Sequence, residues 1–290
     1  MTGILLLGAG GVLARAFSEH LADRNVAKAG RRELETDSAA ALDGLFAEYQ
    51  PELVINCAAH TDLEAAEVNP EQDFQANAEL PRLIGAACRK NGATLLHFSS
   101  TGCYGSWKET PYSDADELRP TTAHHRAKAA GEEAVKLSGC RFLVLRTGWL
   151  YGGVAGQPKN FVWNRIVEAR GKGEMTSDSV QRGCPTFAND LVRQAMLMVE
   201  NGLQGVFNAV ANGNASRYEY VAEIVASAAL PCVVKPGPRF QRRASVSMNE
   251  MAINTRLKDM SLDIMPDWRE SLHHYVRVLL GSERPDSHPA

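Results

Sequence analysis

The chain has no apolar run long enough to cross a bilayer, its six cysteines form no C-x2-C pair, and 31 Lys+Arg against 34 Asp+Glu leave a formal net charge of only -3. Each shortage closes a class of function. The longest apolar run near the start, Ile4-Leu5-Leu6-Leu7, stops at Gly8 with no basic segment before it, so it reads as neither a secretory leader nor a membrane span. Cysteines at 57, 88, 103, 140, 184 and 232 lack the spacing of zinc or redox loops and read as reduced, mostly buried thiols, which places the chain in a cytoplasm. Near-neutral charge leaves no global field for nucleic acid or an anionic membrane, so neither is an expected partner. The adjacent pairs His124-His125 and His273-His274 point their rings apart on a helix or strand, and no metal site is expected. Aromatic residues make up only 7%, and no repeat period or low-complexity tract appears.

What is present is a rhythm. Among 290 residues, 44% hydrophobic and 22% charged, short apolar runs alternate with longer amphipathic stretches, room enough for one large α/β domain or two unequal ones. The spacing predicts strands at Ile4 to Leu7, Val26 to Ala29, Leu53 to Asn56, Thr94 to Phe98 and Arg141 to Arg146. Helices are predicted from Val12 to Arg24, Asp73 to Lys90 and His124 to Leu137. Apolar strands bounded by helices require a parallel sheet covered on both faces, and right-handed crossovers make it doubly wound. After Trp149 the pattern loosens into glycines and prolines, with helices predicted at 160–170, 187–200 and 216–229 and a strand at Val206 to Ala209. The expected organisation is a cofactor domain over 1–150, a mainly substrate-binding lobe over 151–280, and a disordered tail over 281–290.

Gly8-Ala-Gly10-Gly11 follows the first strand and opens the first helix, with Ala14 small enough for close helix–strand packing. Such glycines let backbone N–H groups at a helix N-terminus approach a pyrophosphate, while a ligand-free tight turn is the plainer alternative. The second strand ends in Gly30-Arg31-Arg32, where an NAD enzyme would carry a carboxylate for the ribose 2'-hydroxyl. Two guanidinium groups suit a 2'-phosphate and point to NADPH; Glu33 and Glu35 follow and leave NADH use open, and a solvated charged turn is the plainer alternative. Ser100 lies just at the carboxyl end of the fourth strand, and His124 and Lys128, four apart, share one face of the helix that follows.

Several segments then carry a likeness: Gly8-Ala-Gly-Gly11, Val54-Ile-Asn-Cys-Ala-Ala-His60-Thr with Ala65-Ala-Glu67, Asn77, His97-Phe-Ser-Ser100, and Glu109-Thr-Pro-Tyr112. Arg146-Thr-Gly-Trp149-Leu-Tyr151-Gly, Asn160-Phe161 and Pro185-Thr186 continue it. Jointly they resemble the extended short-chain dehydrogenase/reductases and, within them, the dTDP-4-dehydrorhamnose reductase family, over almost the whole chain. The resemblance implies a Rossmann sheet with a smaller substrate lobe, and NADPH-dependent reduction of a nucleotide-activated 4-keto-(6-deoxy) sugar. It implies Ser100 and Lys128 as catalytic residues, with His124 where the family's Tyr-x-x-x-Lys motif has its proton-donating tyrosine. Val12, Leu13, Cys57, Ala58, Ala59, His60 and Asn77 join the glycines, Arg31, Arg32 and Lys128 around the cofactor. Ser100, Thr101, Trp149, Asn160, Phe161 and Arg182 are the implied substrate contacts; core packing is the alternative for Trp149 and Phe161.

The histidine opens three possibilities: a working His124 acid, an acid borrowed from His125, Tyr104 or water, or a site that binds without turnover. An imidazole titrates nearer neutrality than a phenol, but a neighbouring ammonium favours its neutral form. Thr101-Gly102 also replaces the Asp-Tyr that usually follows the family's Ser-Thr, and Val180 stands where an aspartate usually precedes Gln181. The rival functions are a silent NADP-binding regulatory subunit and a sugar-nucleotide epimerase or dehydratase. The sequence leaves oligomeric state open, a homodimer included.

Overall fold

The computed structural model describes residues 3–30, 34 and 38–281. Six parallel strands form the main sheet: β1 (Ile4–Leu7), β2 (Val26–Ala29), β3 (Leu53–Asn56), β4 (Thr94–Ser100), β5 (Arg141–Thr147) and β6 (Gly205–Asn208). Their spatial order is β6-β5-β4-β3-β1-β2, a doubly wound arrangement whose direction of winding reverses between β1 and β3. The helices whose bounds lie within the described residues are α1 (Val12–His20), α2 (Ser38–Tyr49), α3 (Leu63–Val68), α4 (Pro70–Phe74), α5 (Leu80–Asn91), α6 (Ala123–Leu137), α7 (Phe161–Arg170), α8 (Ala188–Glu200), α9 (Arg217–Ser227), α10 (Thr255–Asp259) and α11 (Trp268–Gly281).

The two-residue period of a strand explains the two cores. Ile4, Leu6, Ile55, Leu96 and Leu145 point to one face and pack with Phe17 of α1 and Leu191 and Val192 of α8. Leu5, Leu7, Val54, Leu95 and Val144 point to the other and meet Leu42 and Phe46 of α2, Ile84 of α5 and Val135 of α6. A strand buried on both faces reads as an unbroken apolar run, which is why Ile4-Leu5-Leu6-Leu7 is legible as an interior strand. A separate aromatic cluster, with Tyr151, Phe187, Tyr220, Trp268 and Tyr275, joins α7, α9 and α11 in the C-terminal region.

Four differences from the sequence reading have physical causes. Helix α1 stops at His20 rather than Arg24, because the chain turns through Leu21 to enter β2. Strand β4 runs two residues past Phe98 to Ser100, paired throughout with β5. The predicted helix over Asp73 to Lys90 is instead α4, a wide π-turn at Gln75–Glu79, and α5. Pro81 has no N–H to offer the Asn77 carbonyl four residues back, so regular helix fails there. The freed carbonyl faces Gly131 of α6, where an added Cβ would lie only 2.0 Å from it. Finally, the strand expected in the C-terminal region pairs with β5 as the sixth strand of the main sheet. Residues beyond 150 thus supply both α8 and β6 to the first core. The tail expected from 281 lies outside the described residues beyond Gly281, as do Arg31, Arg32, Glu33 and Glu35.

Candidate active site

The carboxyl ends of β1, β3, β4 and β5 converge where ligands of open parallel sheets bind. At β1, Gly8 adopts φ +78°, and a Cβ there would sit 2.5 Å from the Ala58 nitrogen, so loop and β3 exit touch backbone to backbone. Gly8 N–H donates to the Ala29 carbonyl at 2.8 Å and Gly11 N–H to the Gly8 carbonyl at 3.1 Å. Gly11 begins α1 with no side chain capping its N–H groups and no acidic residue in the first turn. A Cβ on Gly10 would meet nothing within 4 Å. The N–H groups of Gly10 and of the first turn of α1 are left for a ligand, and this cradle fits a pyrophosphate. Val12 faces Gly152 and Gly153 across the loop, whereas the Leu13 side chain is buried in the core, leaving only its backbone for a cofactor. Gly8→Val should both strain the turn and drive the β3 exit away. The expected result is a loss of NADPH affinity of tenfold or more, with a lower melting temperature, read by fluorescence titration and thermal melting.

Helix α6 starts at Thr122, whose hydroxyl accepts from His125 N–H, and at Ala123, whose N–H donates to Glu67 Oε1 at 2.7 Å. Lys128 is buried one turn on, and its Nζ donates to the Phe98 carbonyl at 2.6 Å. That bond ties the lysine to β4 two residues before Ser100. Burial lowers the lysine's pKa, an effect opposed by the negative charge of Asp73 and Glu132 and by the nearby thiols. Ser100 is half-buried, and its Oγ accepts from Gly102 N–H at 3.1 Å at the start of a short 3-10 turn, Thr101–Tyr104.

His124 has a partner that sequence reasoning missed. Its Nδ1 lies 3.2 Å from Oδ1 of Asp73, 51 residues earlier in the chain. The same oxygen is 2.7 Å from Nδ1 of His60. Asn77 Nδ2 donates to the His60 carbonyl at 3.0 Å and lies 3.5 Å from His124 Nδ1. Asp73 is fully buried on α4, facing α6. Burial pushes its carboxyl up, but hydrogen bonds from His124 and His60 outweigh this and hold it below its ordinary value. A buried carboxylate thus offsets the Lys128 ammonium beside the imidazole. Nothing in the local sequence marks Asp73, since only the folding of α4 against α6 brings it there.

The other candidate donors are engaged. Tyr104 is fully buried, donates to Asn208 Oδ1 at 2.8 Å and accepts from Arg146 at 2.9 Å, and burial pushes its pKa to about 12. Burial pushes His125 down to about 3, and its Nδ1 is 3.0 Å from Thr122 Oγ1. Its ring occupies the space of a side chain at Gly102, where a Cβ would lie 2.2 Å from the imidazole. The glycine at 102 is therefore coupled to the ring of His125.

On the substrate side the implied contacts divide. Trp149 follows β5 with φ +40°, an uncommon conformation for so bulky a residue. Its Nε1 donates to Glu250 at 2.6 Å, the Arg217 guanidinium lies 3.5 Å from its ring centre, and Gly183 leaves the space beneath. Phe161 stacks on Tyr220, and Arg182 is engaged with Asn214 and Glu219. Asn160 is buried and caps α7: its Oδ1 accepts from Trp163 N–H, and its Nδ2 donates to the Val154 carbonyl and the Tyr275 hydroxyl. Thr101 is fully buried, with its Oγ1 close under Gly148.

A model of the RmlD substrate binding domain matches residues 1–280. The chain belongs to that family. A probable dTDP-4,6-dihydroxy-2-methyloxan-3-one 4-ketoreductase of Streptomyces antibioticus is 32% identical over 97% of both chains. A dTDP-4-dehydrorhamnose reductase structure from Clostridium acetobutylicum superposes with TM-score 0.91 at 29% identity, covering 96% of this chain and 99% of its own. A Bacillus anthracis dTDP-4-dehydrorhamnose reductase in complex with NADP shares the fold at TM-score 0.90 and 23% identity, over 96% of this chain and 100% of its own. This RmlD-family chain has the parallel sheet of those structures, and among its described residues no helix is long and apolar enough to span a membrane.

Proposed function

We propose that this protein is an NADPH-dependent reductase of a nucleotide-linked 4-keto-6-deoxy sugar, similar to dTDP-4-dehydrorhamnose reductase. The observation that carries the reading is the placing of His124 and Lys128 on one helix turn against the end of β4, beside the open glycine cradle. The Streptomyces relative's ketoreductase name and the NADP held by the Bacillus neighbour support it. Cofactor and substrate lie over the carboxyl ends of β1, β3, β4 and β5, with the region after residue 148 closing over the sugar. Six free cysteines support a cytoplasmic setting.

Bound NADPH supplies the hydride. Gly8, Gly10, Gly11 and the first N–H groups of α1 hold its pyrophosphate, and Arg31 and Arg32 its 2'-phosphate. Lys128 holds the nicotinamide ribose, and Ser100 donates a hydrogen bond to the sugar's carbonyl oxygen. His124 gives that oxygen a proton, and Trp149 forms a wall of the sugar subsite. Single-turnover oxidation of NADPH by a dTDP-4-keto-6-deoxy sugar tests the reading; a protein inert on every 4-keto nucleotide sugar, yet binding NADPH, would instead be a silent subunit. NADPH should bind more tightly than NADH, and Arg31→Ala with Arg32→Ala should narrow the gap by about tenfold or more, as loss of charge-assisted phosphate contacts requires. Equal affinities in the parent would remove the two arginines from that role.

A further inference from the structure

An ionised carboxylate only accepts hydrogen bonds, so both imidazoles reaching Oδ1 of Asp73 must do so with a proton on Nδ1. This fixes the tautomer of His124 and makes Nε2 the nitrogen whose proton comes and goes. Among the described residues Nε2 has no hydrogen-bond partner. Asp73 is 0% exposed, and the side chains of His124 and His60 are 9% and 21% exposed, so the carboxylate is sealed and the outer imidazole is open to water. Other charged and titratable groups lie around His124. Lys128 and His125 share its helix, Glu67 on α3 holds the Ala123 N–H, and His97 on β4 sits inward beside Lys128. Glu64 of α3 is taken by the N–H groups of Arg243 and Ala244. Among the described residues only Asp73 offers His124 a carboxylate in direct hydrogen bond.

Resting on the reductase reading, we propose that Asp73 is the positioning residue that orients and charges His124, and that His60, held on the same oxygen, weakens that support whenever it is protonated. A hydride supplied by bound NADPH, which would leave as NADP+, would form the new C–H bond at the keto carbon as the C=O π bond opens onto oxygen. The Nε2 proton of the imidazolium would become the hydrogen of the product hydroxyl, the Nδ1 proton stays on its bond to Asp73, and a proton taken up from solvent restores Nε2. Asp73 takes the place of the electrostatic help that a phenol acid draws from lysine alone. His60 makes the donor responsive to solvent pH, because two imidazolium ions on one carboxylate oxygen repel each other.

The signs of two substitutions are opposite. Reduction needs the protonated donor, so the rate is lost as pH rises through the His124 midpoint. Asp73→Asn keeps the shape but removes the attracting charge, and the midpoint should fall by about one pH unit or more. Turnover near neutrality should drop roughly ten- to a hundredfold, less than on removing the acid itself, with NADPH affinity and substrate KM little changed. His60→Gln removes the competing cation, and the midpoint should rise. The pH profile of kcat is measured alongside nitrogen NMR of the His124 imidazole in the NADP-bound protein, which reports tautomer and titration without turnover. Opposite displacements in the two variants, with Nδ1–H lost or weakened in Asp73→Asn, support the proposal. A His124 midpoint that ignores both substitutions overturns it, and His60→Gln decides alone should Asp73→Asn fail to fold. Displaced NMR midpoints in a protein without 4-keto reductase activity would uphold the coupling and reject the reductase reading.

Discussion

His124→Ala is expected to lower turnover by about 10²- to 10⁴-fold while leaving NADPH affinity nearly unchanged, the range for loss of a positioned general acid. The residue hydrogen-bonds to Asp73 and takes no part in the glycine loop, so its removal should leave the pyrophosphate cradle in place. Single-turnover NADPH oxidation and fluorescence titration separate the two quantities. His124→Tyr restores the family's hydroxyl and should retain activity, because Lys128 keeps its place through Phe98. An active parent indifferent to His124→Ala would leave the reductase but take this histidine out of its chemistry.

Glu132→Ala is expected to destabilise the protein by about 3–5 kcal/mol, the usual result of stranding a buried charge. Glu132 is 1% and Arg146 7% exposed, and the pair is bidentate, with Arg146 Nε donating to Oε2 at 3.1 Å and Nη2 to Oε1. Arg146 further donates to Tyr104 and to the Asp114 carbonyl, so one guanidinium joins β5, α6 and the loop after β4. Because α6 carries His124 and Lys128, the same variant should misplace both and reduce turnover in the folded fraction. Urea unfolding followed by circular dichroism gives the stability change. Replacing both partners by leucine and methionine should recover much of it, since no buried charge is then left alone.

The sheet was legible because its strands are continuous apolar runs and its glycine loop sits between a strand and a helix. That His124 and Lys128 share one helix face was legible from their four-residue spacing, whereas their expected roles and that of Ser100 came from the resemblance to a family. Three things were not legible. Asp73 reaches His124 only through the packing of α4 on α6, and a carboxylate on a short polar helix looks like any solvated one. Asn160 stands before a helical run, where an asparagine's first use is to cap, and its likeness to a family motif hid that local role. The segment 205–208 lies far from β5 in sequence, and four residues carry too little pattern to name the sheet they join.

That last strand has a further consequence for how the molecule could be divided. Cutting the chain near residue 150 would strip β5 of its neighbour and remove Leu191, Val192, Ala195 and Met196 from beneath the sheet. The remnant would expose an unpaired edge and an apolar floor, both invitations to aggregate. Residues before and after 150 are therefore woven into one sheet rather than strung as beads. Exchange of C-terminal segments between relatives as cassettes would have to spare 188–208, which carry α8 and β6.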